Sequence, residues 1–163
     1  ILVESEPGKG TVFILHLPMG YGEEVKETEK RGEMPPGMMR SARILVIDDE
    51  EAVRDILSRM LRTKGHQVET ASDGDEGIER FKKQPFDLVF TDLGMPKLSG
   101  WEVGKALKEL NPKIPIIMIT GWGMELSREK MSENGIDLMI SKPFKFEQVT
   151  QLIFEAMELK EKM

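Results

Sequence analysis

Apolar residues along this chain fall into two rhythms. Continuous runs such as Ile44-Leu45-Val46-Ile47 are separated by longer segments in which apolar positions return every three or four residues. The first rhythm suits strands buried on both faces, and the second suits helices that pack along one face. The pattern predicts strands at Arg43 to Ile47, Gln67 to Ala71, Leu88 to Thr91, Ile114 to Thr120 and Leu138 to Ser141. Between them it predicts helices at Glu51 to Lys64, Gly74 to Lys83, Trp101 to Leu110 and Met124 to Asn134, with a last helix from Phe146 to about Lys160. In the first helix Val53, Ile56, Leu57, Met60 and Leu61 form one apolar stripe, which reads as core. Gly65, Gly135 and Asn111-Pro112 follow three of the helices with the chemistry that stops them. Strands alternating with helices imply a parallel sheet covered on both faces, an α/β fold.

Ahead of Arg43 the pattern changes. Ile1 to Glu4 and Thr11 to Leu17 read as two short strands joined by the turn Pro7-Gly8-Lys9-Gly10. A lone hairpin buries too little surface to be stable, so it implies a sheet that it completes. Residues 19–41 shift to glycine, proline, methionine and mixed charge and read as a linker, with a short helical stretch around Glu23 to Arg31. The expected division is therefore 1–18, 19–41 and 42–163. Because the chain starts at Ile1 rather than at a methionine, it reads as a piece of something longer.

Composition narrows the classes. With 163 residues, 39% hydrophobic and 32% charged, the chain has enough apolar matter for one full domain and something smaller. A net charge of -6, with lysines and arginines interspersed among acids, argues against a nucleic-acid surface. No cysteine is present, which excludes disulfides and thiolate metal sites and fits the cytoplasm. No apolar run approaches the roughly 20 residues of a membrane span, so no direct membrane contact is expected. His16 and His66 read as surface residues, and Glu155 to Lys162 as a solvated helix face.

Chemistry gathers where the apolar runs stop. Asp48 and Asp49 follow the first run of the α/β region, Asp92 follows Leu88-Val89-Phe90, and Lys142 follows Leu138-Met139-Ile140. Parallel strands would bring these ends to one sheet edge, where open α/β sheets place their ligands. Three carboxylates and an ammonium there would hold a divalent cation through hard oxygens, leave one carboxylate to attack phosphorus, and offer the lysine to a phosphoryl oxygen. A plainer reading also stands: acids at a helix start complement its dipole, which accounts for Glu50 and Glu51. It accounts less well for Asp48 and Asp49, which repel each other unless they share a cation. Thr120 adds a hydroxyl at the same edge, before Gly121, and Pro143 after Lys142 suggests an unusual or cis backbone.

Val46-Ile47-Asp48-Asp49-Glu50, Thr91-Asp92-Leu93-Gly94-Met95-Pro96, Ile119-Thr120-Gly121, and Gly135-Ile136-Asp137 through Ser141-Lys142-Pro143-Phe144 resemble, in order and spacing, a response-regulator receiver domain over residues 42–160. The resemblance implies a flavodoxin-like sheet of order 2-1-3-4-5. It implies Asp92 as phosphoacceptor, Asp49 as a direct Mg2+ (or Mn2+) ligand, Asp48 as a ligand largely through water, and the Gly94 carbonyl as another, with Asp92 completing the set. Thr120 and Lys142 would bind the phosphoryl oxygens. The chain departs from the family in two respects. Three residues before the lysine, where an aromatic usually turns inward on activation, stands Met139, which implies a muted or differently packed switch. Two residues after the acceptor and after the threonine, where hydrolysis is tuned, stand Gly94 and Trp122, which imply a long-lived phosphoryl group; a partner contact is the other reading of Trp122.

Val3-Glu4-Ser5-Glu6-Pro7-Gly8-Lys9-Gly10-Thr11-Val12-Phe13, ending at Leu17-Pro18, resembles the last hairpin of the ATP-binding domain of sensor histidine kinases. Gly8 and Gly10 make its turn rather than a phosphate loop. Together the two resemblances imply a hybrid histidine kinase: a kinase core that is membrane-anchored upstream or not, a linker, then a receiver. The receiver would take phosphate from a phosphohistidine of its own chain or of a sister subunit and pass it to a histidine phosphotransfer protein. The fragment itself would be no enzyme beyond phosphorylation and dephosphorylation of its own aspartate. Rival readings are a phosphate-independent interaction module, motivated by Met139, and an aspartate-nucleophile phosphohydrolase, which would need an acid where Gly94 stands. A flavodoxin is disfavoured because its first strand should feed a hydroxyl-rich phosphate loop, whereas Asp48 to Glu51 would repel phosphate without a cation.

Overall fold

The computed structural model describes residues 2–16, 41–121 and 127–162. Two compact units divide it, one within the first 38 residues and one from residue 39 onward. The first is an antiparallel hairpin of β1 (Leu2–Glu6) and β2 (Gly10–Ile14), in register Val3 opposite Phe13 and Glu4 opposite Val12. Gly8 and Gly10 take positive φ in its turn, a conformation that costs other residues energy. Leu2, Val3, Val12, Phe13 and Leu15 are all exposed, so among the described residues neither face of the hairpin is covered by a packing layer.

The second unit alternates strand and helix as its pattern predicts. Its elements are β3 (Arg43–Ile47), α1 (Glu51–Thr63), β4 (Gln67–Ala71), α2 (Gly74–Lys83), β5 (Leu88–Asp92), α3 (Gly100–Leu110), β6 (Ile116–Thr120), α4 (Arg128–Glu133), β7 (Leu138–Ser141) and α5 (Phe146–Lys162). The five strands form one parallel sheet of order β4-β3-β5-β6-β7, which is the 2-1-3-4-5 order of a flavodoxin-like fold. Each strand's alternate residues feed opposite layers. Ile44, Val46, Leu88, Phe90, Ile117 and Ile119 pack with α1 and α5 through Leu57, Leu61, Val149 and Ile153. Leu45, Ile47, Val89, Ile116 and Met118 pack on the other side with Val103, Leu107 and Met131.

Several boundaries move by a few residues. The strand expected from Ile114 begins at Ile116, because Pro115 has no N–H to give the ladder and Ile114 is turned back to Asn111. The helix expected from Met124 begins at Arg128, where the Ser127 hydroxyl accepts the Lys130 N–H; residues 124–126 lie outside the described set, as do the linker with its helical stretch and Leu17. His66 is a correction. It is only 5% exposed rather than a surface residue, because its Nδ1 accepts the Ala42 N–H at 3.2 Å where the chain enters β3. Among the described residues no helix is long and apolar enough to cross a membrane.

Candidate functional site

The parallel order puts the carboxyl ends of β3, β5, β6 and β7 on one edge, which carries Asp48, Asp92, Thr120 and Lys142. Asp48 leaves β3 fully buried, its amide held by the Ala71 carbonyl and its Oδ1 accepting the Glu50 N–H at 2.8 Å. Asp92 ends β5 almost buried, and its Oδ2 accepts the Gly94 N–H at 2.6 Å. Lys142 follows β7, its amide donating to the Thr120 carbonyl at 2.8 Å, and its bond to Pro143 is cis, as the sequence suggested.

Lys142 Nζ lies 2.8 Å from Asp92 Oδ1, 3.0 Å from Asp48 Oδ2 and 2.8 Å from Glu50 Oε1. Burial alone would lower the ammonium's pKa, but its hydrogen bonds to Asp92, Glu50 and Asp48 outweigh that and raise it well above the ordinary lysine value. Lysine is firmly cationic here. Burial pushes the Asp48 carboxyl up, and the Asp92 charge adds to this, against the lowering pull of the Glu50 amide and Lys142. Asp48 Oδ2 is buried and, apart from its ion pair with Lys142, has no hydrogen-bond partner. The Lys142 hydrogen bond lowers the pKa of Glu50.

Close backbone approach shapes the same edge. Gly100 opens α3 beneath Asp92, so close that a Cβ would run into the Asp92 carbonyl oxygen and stand 2.7 Å from Met118 Sδ. Its N–H donates to the Leu93 carbonyl, which fixes the turn after the aspartate. Thr120 is fully buried at the end of β6, and among the described residues its Oγ1 has no hydrogen-bond partner, the kind of orphaned buried hydroxyl that fits a bound anionic group.

Not every expected ligand converges. Asp49 is exposed one residue past Asp48, Gly94 is exposed, and among the described residues no three carboxylates form a ready-made cation cage. The donor chemistry nonetheless fits a hard divalent ion. Asp48, Glu50 and Asp92 converge on the Lys142 ammonium, Arg54 donates to the Asp48 carbonyl, and Asp49 adds a further carboxyl next in sequence, so this edge is rich in hard oxygen donors. Met139 is half-buried beside Met118 in the sheet and packs into the layer that holds Met131 and Ile136. Trp122 lies outside the described residues.

Sequence reasoning missed two participants. Glu50 was assigned to the helix dipole, yet its side chain makes no cap and reaches Lys142 instead. Arg54 stands one turn into α1 and its guanidinium reaches back to the Asp48 carbonyl, a contact that no motif in the sequence announces.

The sequence model of the response regulator receiver domain matches residues 44–154. The sensor protein EvgS of Escherichia coli (strain K12) is 33% identical over 141 residues, covering 86% of this chain and 12% of its own length. The sensor kinase CckA of Brucella abortus (strain 2308) is 29% identical over 166 residues, covering 97% of this chain and 18% of its own. The chain therefore spans under a fifth of these sensor relatives. A solved receiver domain from Clostridium thermocellum superposes with a TM-score of 0.68 at 32% identity, covering 74% of this chain and 97% of that one. The chemotaxis protein CheY4 of Vibrio cholerae superposes with a TM-score of 0.66 at 30% identity, over 72% of this chain and 99% of that one.

Proposed function

The chain belongs to the response regulator receiver domain family of two-component systems, and on that premise we propose that it accepts a phosphoryl group from phosphohistidine onto Asp92. The observation that carries the reading is Lys142 ion-paired to Asp92 at 2.8 Å beside the unpartnered hydroxyl of Thr120. An Asp92 oxygen forms the new O–P bond as the donor's N–P bond breaks; the electron pair passes to the imidazole nitrogen, and a solvent proton neutralises the ring. The transition state is loose, so the protein's part is to aim and to neutralise charge. The Gly94 amide orients the Asp92 carboxylate, Lys142 takes one phosphoryl oxygen and Thr120 a second. Asp48, Asp49 and Asp92, with the Gly94 carbonyl, would hold Mg2+ or Mn2+, which when bound draws charge from the phosphoryl oxygens.

The parent chain is read as a hybrid histidine kinase. Residues 1–18 are proposed as the closing hairpin of its ATP-binding domain, residues 19–41 as linker and 42–163 as the receiver. Two findings support this: the hairpin's apolar side chains are exposed on both faces, and the CckA alignment runs over 97% of the chain. The phosphohistidine would come from the same chain or a sister subunit, with a histidine phosphotransfer protein downstream and the receiver itself in the cytoplasm. Gly94 and Trp122 at the tuning positions support a phosphoryl group that outlasts seconds.

The test is incubation with phosphoramidate, whose P–N bond matches that of phosphohistidine, followed by intact mass. One added phosphate is expected with Mg2+, and none with EDTA or in Asp92→Asn. No gain on folded protein would favour the phosphate-independent module, the reading that Met139 motivates.

A further inference from the structure

We propose that Glu50 is a positioning residue that restrains Lys142, occupying the ammonium donor that a phosphoryl group on Asp92 must take over. The inference rests on Asp92 being the acceptor.

An ammonium has three N–H donors. Lys142 Nζ lies 2.8 to 3.0 Å from one oxygen each of Asp48, Glu50 and Asp92 and hydrogen-bonds Glu50, so three acidic partners already surround the ammonium before a phosphoryl oxygen arrives. One must let go. Asp48 is buried, its second oxygen is held by the Glu50 amide, and leaving Lys142 would strand a desolvated charge. Asp92 is the residue that receives the group, and the Gly94 amide pins its other oxygen. The Glu50 side chain, by contrast, is 62% exposed and can turn into water at little cost.

Local structure explains why Glu50 is there. It is the N-cap of α1 with an extended backbone (φ -80, ψ 108), and its carbonyl accepts from Val53 and Arg54, but its side chain leaves the helix uncapped. The carboxylate crosses instead to a lysine 92 positions further along the chain. It thus competes with the phosphoryl oxygen for Lys142 and repels an anionic donor at the mouth of the site.

Glu50→Gln removes the charge and keeps the shape, and Glu50→Asp keeps the charge but draws it back by one methylene. Both are surface changes, and circular dichroism should match the parent protein. With phosphoramidate and Mg2+, Glu50→Gln should be phosphorylated about threefold to tenfold faster than the parent, with the advantage shrinking as salt screens the exposed charge. Glu50→Asp should approach the Gln variant in rate, because the contact is lost. The Lys142 ammonium, observed by 15N NMR without any phosphodonor, should exchange with water faster in both variants. A parent that phosphorylates while Glu50→Gln shows the same or a lower rate overturns this inference alone, and so does a Glu50→Asp rate equal to the parent's. A parent that takes no phosphate overturns the acceptor reading, and this inference with it.

Discussion

Ser58 shows how much a single buried atom can cost. It faces the core from α1, 2% exposed, with its hydroxyl lacking any hydrogen-bond partner. An unsatisfied buried hydroxyl is a desolvation cost without return. Ser58→Ala should therefore stabilise the domain by about 1 kcal/mol, read as a rise in urea midpoint with unchanged slope. Thr120 is also buried and unpartnered, but it stands at the strand edge beside the Lys142 amide rather than against the core. At this scale the sequence was informative where residue type and strand end coincide, as at Asp48, Asp92, Thr120 and Lys142. It was uninformative where a side chain chooses between two partners. Glu50 could cap a helix or reach across the sheet edge, and only the placement of Lys142 decides between them.

Elements were legible because continuous apolar runs alternate with segments of a three-to-four period, whereas the strand order came only with the family resemblance. What the pattern could not show is how tightly elements approach. Gly100 lets the first turn of α3 close on the Asp92 carbonyl and Met118, a constraint set by tertiary packing. Gly100→Ala should cost about 1 to 3 kcal/mol by overpacking and should slow phosphorylation of Asp92, since the strain falls on that residue's backbone. His66 likewise depends on the join between elements. Its Nδ1 must be unprotonated to accept from Ala42, and burial lowers its pKa. The unfolded chain binds a proton near pH 6.5, so this contribution is complete above that value and is lost as pH falls below it. Urea midpoints should therefore drop between about pH 7.5 and about pH 5.5, and His66→Gln should flatten that slope.

Across the whole molecule, the two units answer to different demands. The described residues from 41 onward form a five-stranded sheet with an apolar layer on each face, whereas the hairpin exposes its apolar residues. The central claim is chemical, that Asp92, held by the Gly94 amide and paired with Lys142, takes one phosphoryl group. The measurement that tests it most directly is the location of that group. After treatment with phosphoramidate and Mg2+, borohydride reduction converts an aspartyl phosphate to homoserine, and peptide masses identify the residue. The account predicts homoserine at position 92 alone, at a yield that follows the intact-mass gain. Homoserine at Asp48 or Asp49, or phosphate retained on a residue that borohydride does not reduce, would contradict it.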